Sequence, residues 1–148
     1  MKSPALFIDR DGTIIKQIDG HYISSIKQIE LIENIFPAVI MLQNEGYLII
    51  MVTNQAGINK GILSNQLVDE INQHIVKLLK KRGIDVTAVY VCPHKPEEQC
   101  KCRKPQPGLL LKAAKEHNID LENSVIIGDT DKDTEAGLNA GLKKVIKI

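Results

Sequence analysis

Residues 92–104 read Cys92-Pro-His94-Lys-Pro-Glu-Glu-Gln-Cys100-Lys-Cys102-Arg103-Lys104, and every cysteine of the chain lies in this stretch. Three thiolates and one imidazole in a C-x-H-x5-C-x-C pattern make a full tetrahedral set for zinc. Three reduced cysteines buried separately in a core would not cluster around a Pro-His insert in this way. A four-ligand site leaves no open position for water, so the spacing predicts a structural Zn2+ in a loop over 92–102. Arg103 and Lys104 follow at once. A metal-clamped loop would hold both cations ready for an anionic substrate.

A second set of residues is acidic. In Asp9-Arg-Asp11-Gly12-Thr13 two carboxylates lie at i and i+2, and they repel unless a proton or a cation separates them. Mg2+ does this well, being hard and suited to carboxylate and phosphate oxygens. Asp9 is then placed to attack phosphorus, and Asp11 to protonate the leaving oxygen and later to deprotonate water. The plain alternative is an Asp-Gly turn. Thr53-Asn54-Gln55-Ala56-Gly57 offers a hydroxyl, amides and backbone N–H groups to a phosphoryl group; alone, it would read as a strand-to-helix turn. In Gly128-Asp129-Thr-Asp131-Lys132-Asp133, Asp129 is the better candidate for a direct metal ligand. Asp133 is a candidate to orient a neighbour or a metal-bound water, and Asp131 to cap a helix that starts near Thr134. Lys104 is suited to neutralise charge on the transferring oxygens, and Arg103 to fork onto another oxyanion. His21, His74 and His117 read as surface or helix-face residues.

Five apolar runs must position these groups: Ala5–Ile8, Tyr47–Val52, Val86–Val91, Ser124–Ile127 and Lys144–Ile148. Continuous β-branched runs predict strands buried on both faces, as in a parallel sheet. Helical spacing lies between them, over Ile35–Glu45, Ser64–Arg82, Pro107–His117 and Thr134–Asn139, with Ser64 as an N-cap and Gly46 and Gly83 as stops. Alternating strands and helices predict right-handed crossovers and an open α/β sheet. Asp9, Thr53, Cys92 and Asp129 then sit at the carboxyl ends of four strands, the edge where such sheets bind ligands.

The chain has 148 residues, 43% of them hydrophobic and 25% charged, which predicts one soluble domain over 1–148. A net charge of +1 and 3% aromatics give neither the field nor the stacking platforms that nucleic-acid binding needs. The apolar runs are too short to cross a membrane, no signal peptide leads the chain, and thiolate zinc ligands need reducing surroundings. A cytoplasmic monomer is expected.

The order Asp9-x-Asp11-Gly-Thr, Thr53-Asn-Gln, Lys104, Gly-Asp129-x-x-x-Asp133 resembles the haloacid dehalogenase superfamily of phosphatases over essentially the whole chain. Cys92-x-His94…Cys100-x-Cys102-Arg-Lys-Pro is similar to its histidinol-phosphatase-like branch, whose members act on heptose bisphosphate and on histidinol phosphate. The resemblance implies a Rossmann-like core without a large cap, with Mg2+ as cofactor and a structural Zn2+. It implies Asp9 as nucleophile and Asp11 as general acid and base. Asp9, the Asp11 carbonyl and Asp129 are implied as Mg2+ ligands, Thr53 and Lys104 as contacts to the transferring group, and Arg103 in substrate recognition.

Thr53-Asn-Gln-Ala-Gly-Ile-Asn-Lys-Gly61 and Asp19-Gly-His-Tyr22 look like the heptose pattern, which places Asn54, Gln55 and Tyr22 with substrate binding. The five residues between His94 and Cys100 look like the histidinol pattern instead. Arg103, Lys60, Lys95 and Lys101 would suit a second phosphate, whereas an amine would want Glu97 or Glu98, and the sugar bisphosphate is favoured. A zinc-stabilised nucleic-acid-binding module and a phosphatase for nucleic-acid 3′-phosphates are the competing readings.

Overall fold

The computed structural model describes residues 1–148. Five strands form one parallel sheet in the order β3-β2-β1-β4-β5. They are β1 (Ala5–Asp9), β2 (Leu48–Asn54), β3 (Val86–Cys92), β4 (Val125–Gly128) and β5 (Lys144–Lys147). Helices α1 (Phe36–Asn44), α2 (Asn65–Lys81), α3 (Gly108–His117) and α4 (Asp131–Asn139) lie between them. The sheet is the open α/β architecture that the apolar runs predict, and no cap domain covers it.

The central strand shows why the sequence folds this way. Every residue of β1 is buried, and successive side chains enter opposite cores, as the two-residue period of a strand requires. Leu6 and Ile8 pack with Phe36 and Val39 of α1 and with Ile71, Ile75 and Leu79 of α2. Ala5 and Phe7 pack with Leu109, Leu110 and Ala113 of α3. The strand therefore reads as uninterrupted hydrophobicity because both of its faces are covered. Helix α2 keeps Val68, Ile71, Ile75 and Leu79 on one buried stripe. Ser64 caps it by accepting a hydrogen bond from the Leu67 N–H at 3.0 Å.

Parallel register aligns the strand ends. Asp9 pairs with Val52, Thr53 with Val91, Asn54 with Cys92, and Ile8 with Ile127. The last residues of β1 to β4 thus form one edge.

One boundary differs from the sequence reading. Helix α4 starts at Asp131, with Thr130 as its N-cap and Asp133 closing a capping box. Asp131 is the first helical residue and does not cap. Its carboxylate instead accepts from the Lys147 ammonium at 3.1 Å, on the surface. In the Thr130-x-x-Asp133 pattern the Asp133 carboxylate accepts from the Thr130 N–H and hydroxyl while the Asp133 N–H donates to the Thr130 carbonyl, and that sets the boundary.

Candidate active site

Lys104 organises the carboxyl edge of the sheet. It reaches back from the loop after β3, and its ammonium, 2% exposed as a residue, donates to Asp9 Oδ1 at 2.6 Å, Asp133 Oδ1 at 2.7 Å and the Val52 carbonyl at 3.0 Å. Its three N–H donors are all used, so the buried charge is fully hydrogen-bonded. The backbone at Lys104 is fixed by a reciprocal amide pair. Its N–H donates to Asn54 Oδ1 at 3.1 Å, and Asn54 Nδ2 donates to its carbonyl at 3.2 Å.

The carboxylates outnumber the cation. Asp9, Asp129 and Asp133 each offer an oxygen within 4.8 Å of the others. Burial pushes Asp9 up to about 7, against the pull of Lys104, and Asp133 adds to the rise. Burial also works against the Lys104 charge, but Asp9 and Asp133 outweigh it and hold the ammonium above its ordinary range. Lys104 is therefore a fixed cation among acids that exceed it in charge. Hard oxygen donors with uncompensated negative charge suit a divalent cation such as Mg2+. Gly12 keeps this approach open. Its φ is +86°, and a Cβ there would run into the Asp129 carboxylate. Thr13 Oγ1 donates to Asp129 Oδ1 at 3.3 Å. Asp133, 1% exposed, turns its other oxygen to the Thr130 N–H and hydroxyl at 3.2 and 3.0 Å, so it bridges Lys104 to the start of α4.

Asp11 lies across the cup. Gln55 Nε2 donates to Asp11 Oδ2 and to Thr53 Oγ1, both at 2.8 Å. Gln55 is buried and braces these two groups without lining the cleft, whereas Asn54, Arg103 and Tyr22 do line it. The cleft has a volume of about 560 Å3, within the range of small-molecule sites. Its floor holds Asp9, Asp11, Thr53, Lys104, Asp129 and Asp133. His21, exposed as the sequence reads it, also lines the cleft, and so does Lys132. Lys60 lines it too, donating to the Tyr22 hydroxyl at 3.1 Å. Lys95 and Lys101, grouped with Arg103 by charge alone, lie outside the cleft lining.

The cysteine loop forms a second cluster. Cys92 Sγ lies 3.4 Å from His94 Nδ1, 3.6 Å from Cys100 Sγ and 3.0 Å from Cys102 Sγ. His94 Nδ1 is 3.2 Å and Cys100 Sγ 3.7 Å from Cys102 Sγ. Zinc–sulfur bonds of about 2.3 Å place tetrahedral ligand atoms roughly 3.8 Å apart, so the four side chains fit such an ion with small adjustments. Burial raises the Cys100 thiol, but N–H donors from Arg103 and Cys102 outweigh it and lower it to about 7, favouring the thiolate. Gly108 lets α3 begin against this loop, because a Cβ there would meet the backbone of Lys101 and Cys102.

Fold and cup together define the class: a phosphatase of the haloacid dehalogenase type. The family described as polynucleotide kinase 3 phosphatase matches residues 5–141. The chain is 44% identical to D-glycero-beta-D-manno-heptose-1,7-bisphosphate 7-phosphatase of Helicobacter pylori, over 94% of its own length and 80% of that protein. It is 36% identical to the histidine biosynthesis bifunctional protein HisB of Blochmanniella floridana, over 98% of its own length and 41% of that protein. The structure of D,D-heptose 1,7-bisphosphate phosphatase from B. bronchiseptica, complexed with magnesium and phosphate, superimposes with a TM-score of 0.85 at 27% identity. That match covers 95% of this chain and 78% of that one. The chain belongs to the HAD-like phosphatase family that holds the heptose bisphosphate phosphatases and the HisB phosphatase domain.

Proposed function

We propose that the chain removes the 7-phosphate of D-glycero-D-manno-heptose 1,7-bisphosphate in a Mg2+-dependent reaction, with Asp9 carrying the phosphoryl group in transit. The observation that supports this most is convergence. Asp9, Thr53 and Asp129, from the ends of three strands, and Lys104, from the loop after a fourth, face one cleft. Asp9, the Asp11 carbonyl and Asp129 would hold Mg2+, which when bound supplies positive charge to the phosphoryl oxygens.

An Asp9 oxygen attacks phosphorus, and the bond from phosphorus to the sugar oxygen breaks. Asp11 gives the departing oxygen a proton. Thr53 binds one phosphoryl oxygen, and Lys104, whose three N–H donors are taken in the resting site, turns one of them from Asp9 to another phosphoryl oxygen as Asp9 bonds to phosphorus. A water then attacks the phosphorylated Asp9 and Asp11 takes its proton. Inorganic phosphate leaves, and Asp9 is restored.

The cleft favours a second phosphate over an amine. Lys60 and Lys132 line it as exposed cations and Arg103 as a half-buried one, while of its acids Asp9 and Asp133 are buried and Asp11 and Asp129 half-buried. Glu98 does not line the cleft, and its carboxylate accepts from Asn59 Nδ2 at 3.2 and 3.0 Å and from the Lys95 N–H at 2.6 Å. Glu97 does not line the cleft. The chain is taken as a monomer with one domain over 1–148. The cysteine loop takes a structural Zn2+ in this reading.

The test compares kcat/KM on both anomers of the bisphosphate, on histidinol phosphate and on a 3′-phosphorylated oligonucleotide. One bisphosphate anomer is expected to lead by at least about tenfold. Preference for histidinol phosphate or the oligonucleotide would overturn the substrate assignment. Asp9→Asn is expected to abolish turnover on every substrate while the circular dichroism spectrum stays unchanged.

A further inference from the structure

Arg10 is the largest fully buried side chain in the molecule. It spends its donors in two directions. Nε donates to Asp11 Oδ1 at 3.0 Å and Nη2 to Asp11 Oδ2 at 3.1 Å. The remaining arm, Nη1, donates to Asn72 Oδ1 at 2.9 Å, across 62 positions of sequence. Asn72 sits in the buried stripe of α2 between Val68 and Ile75 and is 2% exposed. A buried amide among aliphatic side chains is costly unless it is bonded. Its acceptor goes to Arg10 and to no other side chain. With Gln55 on Oδ2 as well, both Asp11 oxygens are gripped from the protein side, and the Asp11 side chain keeps 24% of its surface on the side that lines the cleft.

We propose that Asn72 is a positioning residue. Through Arg10 it fixes the orientation of the Asp11 carboxylate, on which both proton transfers of the phosphatase reaction depend. The inference rests on the role given to Asp11 above. A carboxylate held in one rotamer presents its oxygen to the departing group at every encounter, whereas a free one divides its time among staggered wells. Asn72 touches neither substrate nor reacting atoms. It anchors the guanidinium to a helix of the core, so that the fork cannot turn away from Asp11.

The test uses the full chain with Mg2+ and two substrates chosen to differ in their need for a proton, each compared between variant and wild type: an alkyl phosphate and p-nitrophenyl phosphate, whose stable phenolate departs without one. Wild type and Asp9→Asn on both substrates check the underlying reading first. Absence of wild-type hydrolysis would remove that reading and this one together. Asn72→Leu keeps the size and removes the acceptor, Asn72→Ser shortens it, and Asn72→Asp keeps it.

In the Leu and Ser variants kcat/KM on the alkyl phosphate is expected to fall about tenfold, while on p-nitrophenyl phosphate it stays within about twofold. Asn72→Asp is expected to restore the alkyl activity to within about twofold of wild type. An equal loss on both substrates, or no loss in folded Leu and Ser variants, would overturn the proposal. Unfolding of both would assign Asn72 to stability alone and would overturn it as well.

Discussion

Lys104 carries two duties at once, and they are separable by experiment. It pairs with both Asp9 and Asp133 in the resting site, and it is assigned to the phosphoryl oxygens during reaction. Replacing it with Met leaves two buried carboxylates without their partner, a change that costs on the order of 3–5 kcal/mol in comparable buried pairs. It also removes a preorganised donor, for which kcat falls by roughly 10^2–10^3. Urea unfolding and steady-state kinetics of Lys104→Met check both. Added Mg2+ is expected to recover part of the stability, because it neutralises the same acids, but not the rate. Wild-type turnover in that variant would remove Lys104 from the mechanism.

At this scale the sequence was unevenly legible. Asp9, Thr53 and Asp129 were readable because each ends an apolar run. Lys104 was readable because it adjoins the cysteine cluster. The Arg10–Asn72 contact was not, since nothing local marks an asparagine in an amphipathic helix as the partner of a residue 62 positions away. Gln55 was read as a substrate-binding group, but it lies outside the cleft lining and braces Asp11 and Thr53, a use that needs the third dimension.

Among the elements, the cysteine loop positions most for its size. It starts at the last residue of β3, abuts the first turn of α3 through Gly108, and delivers Arg103 and Lys104 into the cleft. Asn59 ties it to the loop after β2 through Glu98. If it is clamped by zinc, elemental analysis finds about one ion per chain, retained through EDTA treatment mild enough to strip magnesium. Cys100→Ser is then expected to lower the unfolding midpoint, with activity per folded molecule close to wild type. A folded Cys100→Ser protein of unchanged stability and lost activity would contradict a purely structural ion.

Strand existence and helix spacing came from apolar periodicity, which is why each of the five strands and four helices overlaps a segment that the sequence marks. The start of α4 did not, because Asp131 and Asp133 were weighed as ligands and caps together. The reciprocal Thr130–Asp133 box, which sets the helix three residues earlier, was missed.

For the molecule as a whole, charge is distributed rather than excessive. Net charge is +1, yet the cleft has an acidic floor and a rim carrying Lys60, Arg103 and Lys132. Such a layout suits a bisphosphate, whose far phosphate would meet the cations while the other phosphate reacts. Lys60→Ala and Arg103→Ala are therefore expected to raise KM for the sugar bisphosphate several-fold, on the order of 1 kcal/mol each, and to leave KM for the corresponding monophosphate nearly unchanged. The effect should shrink as salt is added. Equal losses on both substrates would place these cations elsewhere in the reaction. No helix is long and apolar enough to cross a membrane, and a hydrophobic core lies on either face of the sheet.

The central claim is that Asp9 becomes phosphorylated, and it can be measured directly. The enzyme is mixed with a slight excess of substrate and Mg2+, quenched in acid within the first turnover, and digested, and the peptide containing Asp9 is weighed by mass spectrometry. The structure predicts one added phosphoryl group on Asp9 that rises and decays with product formation and is absent from Asp9→Asn. Phosphate release at full rate with no label on Asp9, or with the label on another residue, would contradict it.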